Sequence, residues 1–267
     1  MASHYRQVGD VPKALAVADA LIALGKSVSD SRALAFGWWV RASISAMVED
    51  YAKAGIEAEE SMRNSLPGTM DYITANMFRL GARIMAGDKT ISTAYLTDLS
   101  AARAAVGDRS VSIIASFFAT VLHFTRGEVR AGLAQMKRTD QMIDEGAERG
   151  LVQQYLIKKA ELFLTIAGLW PNPLPAPKMA LAELPAALKL RLRARSLAKA
   201  TYADLRARLD LSEGFQMARV EMGEARIAKA EGRRADGDRL MSRAEQVFAS
   251  QGQTRFLEML ATFRRNA

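Results

Sequence analysis

The sequence predicts an all-α chain built as an α-solenoid of about six irregular helical hairpins. Alanine, leucine, arginine, glutamate and methionine dominate, β-branched runs are few, and only seven prolines occur in 267 residues. In segment after segment, apolar residues recur at spacings of three and four. The segments end at glycines that can take positive φ, often followed by an acidic residue suited to the next helix start. The stretch from Phe124 to Leu133 condenses this pattern around Gly127-Glu128, and variants stand at Gly9-Asp10, Gly55-Ile56, Gly87-Asp88 and Gly232-Arg233.

Met1 to Gly9 reads as the tail of a helix, so that the chain begins mid-repeat. A helix follows from Asp10 to Gly25, with Pro12 in its first turn and Val11, Leu15, Ala18 and Ile22 on one face. The spacing predicts a second helix over 31–54, carrying Leu34, Trp38, Ala42, Ser45 and Val48. A shorter one follows Gly55 to about Asn64, closed by Leu66-Pro67-Gly68. Thr69 or Asp71 caps the next, where Ile73, Met77, Leu80 and Ile84 recur before Gly87 ends it. Helices over 90–106 and 109–126 face each other across Gly107-Asp108. A helix over 129–149, stopped by Gly150, pairs with one over 151–167.

Between Gly168 and Pro185 the punctuation fails. Pro171, Pro173, Pro175 and Pro177 alternate there, which predicts an extended connector packed through Leu169, Trp170 and Leu174. Leu188 to Arg195 alternates like a strand, yet Leu190, Ala194, Leu197, Thr201, Leu205 and Leu209 continue at helical spacing, so 186–209 is assigned as helix. Helices over 211–231, 235–251 and 254–264, separated by Gly232 and Gly252, complete the chain. The organisation expected is helical repeats over 1–168, a proline-rich connector over 169–185 and further repeats over 186–267.

Composition narrows the chemistry. The absence of cysteine excludes disulfides, thiolate metal sites and a cysteine nucleophile, and the two histidines, His4 and His123, cannot build a histidine-rich metal centre. No apolar run is long enough to span a bilayer and no leader pattern opens the chain, so the expectation is a cytoplasmic protein with no membrane partner. A net charge of +8 invites a nucleic-acid reading, but no reading motif accompanies it. Neither a nucleophile elbow nor a dinucleotide fingerprint occurs, so no catalytic residue and no cofactor is expected. The carboxylates Glu57, Glu59 and Glu60, and Glu221 with Glu224, read as solvated helix faces, and His123 as a packed helix residue.

The candidate binding residues are aromatic and basic. Adjacent residues on a helix point about 100° apart, so Trp38-Trp39 and Phe117-Phe118 each send one ring to the core and the other outward; Trp39 and Phe118 are the candidates to anchor a partner. Lys189, Arg191, Arg193 and Arg195, continued by Lys199, Arg206 and Arg208, form the strongest basic patch.

Several segments resemble the tetratricopeptide repeat in a degenerate, longer-helix form. They are Gly9-Asp10 with Ala14, Leu15 and Ala18; Gly127-Glu128 with Leu133; and, most specifically, Ala228 to Gly232 followed by Ala244 to Phe248, Gly252, Leu257 and Leu260. The last group is similar to the repeats found C-terminal to ATPase modules in bacterial nucleotide cyclases and maltose-activator-type regulators. The resemblance implies a right-handed superhelix that captures a protein or peptide partner in its concave groove, as a non-catalytic signalling or regulatory scaffold. It also leaves open a ligand-sensing domain with a small-molecule effector. The chain departs from the family pattern at 168–185, and it shows neither a phosphate-binding Gly-rich loop nor a cyclase aspartate pair.

Overall fold

Among the described residues, turns are set by left-handed glycines, left-handed non-glycine residues and side-chain caps. The computed structural model describes residues 10–104, 110–170, 179–208 and 214–265, and within them lie twelve α-helices and no strand. The expected proline connector at 171–177, the turn at Gly107-Asp108, His4 and Gly9 lie outside the described residues. The chain divides into two units, one holding Val11–Ala147 and the other Glu148–Ala267.

The first unit opens with α1 (Val11–Val28), which runs through Gly25 instead of stopping there. Gly25 serves close packing: a Cβ at that position would stand 2.8 Å from Leu34 Cγ and 2.9 Å from the Leu34 backbone nitrogen. The turn falls later, where Ser29 takes φ 54° and the Asp30 carboxylate accepts from the Arg32 and Ala33 amides. Gly37 on α2 (Ser31–Met47) answers Gly25, because its missing Cβ makes room for Ile22.

The helix expected over 31–54 is in fact two. Glu49 takes φ 64° and Asp50 caps the amide of Lys53, so α3 (Tyr51–Arg63) begins before Gly55 and carries it in its interior. Nothing at that position needs glycine, since a Cβ there meets only Ala82 Cβ at 3.8 Å. Gly55→Ala is therefore expected to stabilise the protein by about 0.5–1 kcal/mol, read as an increase in the denaturation midpoint; a decrease would show that α3 does not continue through residue 55.

After Gly68 (φ 79°), Thr69 caps α4 (Met70–Met85), and Gly87 (φ 94°) ends it as expected. Asp88 then accepts from the amide and hydroxyl of Thr90, at 2.8 and 2.7 Å, and pairs with Arg83. Those hydrogen bonds from Thr90, with the Arg83 charge behind them, hold its carboxyl at about 2. Next come α5 (Thr93–Ala104) and α6 (Ser110–Arg126), and Arg126 ties back to the carbonyls of Lys89 and Ile91. Gly127 (φ 80°) turns the chain into α7 (Val129–Asp144). That helix ends at Gly146 (φ 108°) and not at Gly150, which lies inside α8 (Arg149–Ile166).

Within the first unit each helix packs on its sequence neighbours, and α2, α4 and α6 also pack on one another in order. Arg41 clamps three helices: it pairs with Asp19 of α1 and donates at 2.9 Å to Glu57 of α3, whose other oxygen accepts from Ser45.

The second unit contains α8, a 3₁₀ turn (Leu181–Glu183), α9 (Leu184–Arg208), α10 (Phe215–Ala230), α11 (Arg234–Ser250) and α12 (Thr254–Arg265). Gly168, Gly232 and Gly252 all take positive φ at turns. The division of the chain falls between α7 and α8, which the sequence pairs as one hairpin; α7 packs on α6, and α8 on α9 and α10. Helix α10 is central to this unit and buried nearly all round. Phe215, Phe248 and Phe256, none of them exposed, meet at ring separations of 4.8–5.7 Å and close the core between α10, α11 and α12.

Candidate functional site

Two surfaces and one buried cluster gather the residues able to bind something. The first surface is aromatic. On α2, Phe36 and Trp39 lie one turn apart with ring centroids 5.2 Å from each other, and Trp39 meets Phe78 of α4 edge-on at 6.1 Å. The side-by-side placement of α2 and α4 thus makes a row of three rings, of which Phe36 is 42% exposed and the other two half-buried. Phe78 was not singled out by the sequence, because its link to Trp39 depends on packing between α2 and α4.

Neither member of either adjacent aromatic pair is fully buried. Trp38 turns toward Arg41, whose guanidinium carbon lies 5.7 Å from the indole centroid. Phe118 lies against Gly81, where any Cβ would overlap its ring, so this candidate takes part in the contact between α4 and α6.

The second surface is the outward side of α9. Lys189, Arg191, Arg193 and Arg195 are all exposed. Arg195 donates to the Ala230 carbonyl at 3.2 Å, while Lys199 and Arg206 are drawn into pairs with Glu231 and Glu224. Leucines stand before and among the cations: Leu184, Leu188 and Leu192 of α9, and Leu181 of the 3₁₀ turn before it, are 48–84% exposed. Their signal was present in the chain, as leucines at spacings of three, four and four on a side turned away from the buried Leu190 and Ala194.

The buried cluster surrounds α10. Arg219, 2% exposed, donates through Nε and Nη2 to Glu161 of α8, which also pairs with Lys158 at 3.2 Å. The Arg219 guanidinium lies 5.8 Å from the ring centroids of both Phe215 and Phe256. Arg226, 1% exposed, donates to the Leu169 carbonyl and lies between Trp170 and Phe263 at 5.0 and 4.5 Å. Tyr202 completes the set; burial, reinforced by the Glu161 charge, pushes its phenol well above the usual tyrosine range. The cluster is built as an internal ion-pair and cation–π network binding α8, α9, α10 and α12 together.

Two carboxylates expected on solvated faces are instead interior. Glu57 is 3% exposed and held by Arg41 and Ser45; Glu221 is 8% exposed and pairs with Arg243 at 2.7 Å. Each has left the surface because a cation from a neighbouring helix compensates it. His123 is half-buried, and its Nδ1 lies 2.5 Å from a Glu128 oxygen across the Gly127 turn. Among the described residues no group of three or more His, Cys, Asp or Glu side chains is placed to hold a metal, and no helix is long and apolar enough to cross a membrane. No family model, no curated protein and no solved structure matches the chain.

Proposed function

We propose that the chain is a non-catalytic helical-repeat scaffold that captures a protein or peptide partner, its helices forming a right-handed, tetratricopeptide-like solenoid of about six hairpins. The packing of helices on their sequence neighbours, with α2, α4 and α6 side by side and α8 against α10, supports stacked hairpins. Such stacking is what a hairpin with apolar residues on both faces requires. The resemblance of the segment from Ala228 to Leu260 to cyclase and activator repeats supports a role in a signalling or regulatory protein.

The observation that carries the reading is the row of Phe36, Trp39 and Phe78. Rings held by a neighbouring helix and still open to solvent supply contact area at low entropic cost, which suits an apolar side chain inserted by a partner segment. Affinity capture with the full chain is expected to recover a reproducible protein partner that the Phe36→Ala variant, substituted at the most exposed ring of the row, loses while its circular dichroism remains that of the folded chain. A melting-temperature rise with one metabolite of a panel, and no protein partner, would replace this reading with a ligand sensor. Tight oligonucleotide binding that weakens steeply with salt would replace it with a nucleic-acid binder.

A further inference from the structure

The outward side of α9 is amphipathic in its own right. Leu184, Leu188 and Leu192 form one stripe on α9, continued by Leu181 of the preceding 3₁₀ turn, and it faces away from the buried Leu190 and Ala194, which with Ala198 hold the helix to the protein. At 100° per residue, Lys189 flanks the stripe on one side and Arg191 on the other, Arg195 falls within it and Arg193 lies further round the helix. From Leu184 to Ala203 the sequence contains no aspartate or glutamate. Lys189, Arg191 and Arg193 are exposed and make no ion pair among the described residues.

We propose that this face docks on the anionic surface of a lipid bilayer, its leucines entering the boundary between headgroups and acyl chains and its flanking cations meeting headgroup phosphates and carboxylates. The composition matches what interfacial helices use: an apolar stripe with Lys and Arg stems along its borders, able to lie over apolar surface while their charges stay in water. Exposures of 84%, 61% and 76% at Leu181, Leu188 and Leu192 make the stripe a ridge without walls. A ridge fits a flat, deformable surface better than a partner helix, which is held in a groove. A second copy of the same face is disfavoured, because an isologous contact would set the basic borders against each other. The expectation of no membrane partner rested on the lack of a spanning segment, which surface docking does not need.

The experiment is co-sedimentation of the full chain with vesicles of phosphatidylcholine alone and of phosphatidylcholine containing about one-third phosphatidylserine. Binding is expected to the anionic vesicles only, falling about fivefold for each of Lys189→Ala and Arg191→Ala. It should fall roughly tenfold or more for Leu188→Ser/Leu192→Ser. These positions are exposed, so circular dichroism melts should be unchanged. Because the chain lacks cysteine, Leu188→Cys gives a single labelling site. An environment-sensitive fluorophore there is expected to shift to the blue on anionic vesicles. Absence of binding by the folded chain would overturn the proposal. So would binding that ignores the leucine substitutions, since that is adsorption by charge alone. A fluorophore shift on adding an acidic amphipathic peptide, with none on vesicles, would overturn it in favour of a protein partner.

Discussion

Arg219→Met is expected to lower the free energy of unfolding by about 3–5 kcal/mol, because it leaves the Glu161 carboxylate uncompensated in the interior. Glu161 is 4% exposed, and after the substitution its remaining cation is Lys158 at 3.2 Å. Lys158 limits the loss toward the lower end of that range and does not replace the two-pronged contact from Arg219. Urea denaturation followed by circular dichroism measures the effect. The double variant Arg219→Met/Glu161→Leu should recover most of it, since the cost of burying the charges disappears along with their attraction. A single-variant loss below about 1 kcal/mol would place the pair in solvent and contradict its burial.

Gly223→Ala is expected to cost about 1–3 kcal/mol through overpacking. An added Cβ would stand 2.1 Å from Tyr202 Oη and 2.7 Å from Cζ, and the tyrosine, 1% exposed, has no open side to move into. The gain in helix propensity from replacing glycine, about 1 kcal/mol, opposes the clash without cancelling it. Tyr202→Phe alone should be near neutral, because the hydroxyl has no hydrogen-bond partner among the described residues and loses nothing when removed. Combined, the two substitutions should be less damaging than their sum, since the nearest overlapping atom is gone. Strict additivity in that double-mutant cycle would refute the close approach of α9 to α10.

Much of the helical content could be read from the chain, and the reason is local. Spacings of three and four fix a helix wherever they persist, which is how 186–209 resists the strand-like alternation of Leu188 to Arg195 and emerges as α9. The choice of turns is harder to read. Glycine at 25, 55 and 150 looks in sequence like glycine at 87, 127 and 232, but only the second group takes positive φ. Gly25 is present to let α2 approach, and Ser29 and Glu49 turn the chain without being glycine at all.

The basic half of the α9 surface was legible because its cations follow one another closely. The leucine half was hidden in the same run, since only the phase set by Leu190 and Ala194 tells which leucines face outward. The interior charges had no local signal. Arg41 meets Glu57 across 16 residues and Arg219 meets Glu161 across 58, separations that no periodic pattern records.

The main helix contacts join helices one or two places apart along the chain. Little loop entropy must be lost before each contact forms, so folding can start at any hairpin and spread to its neighbours while later segments are still being synthesised. The same connectivity bears on mechanical load. Within each unit the main contacts among the described helices tie near neighbours, so under tension a unit is expected to yield in small successive steps, lengthening as a compliant spring and not rupturing as a single clasp.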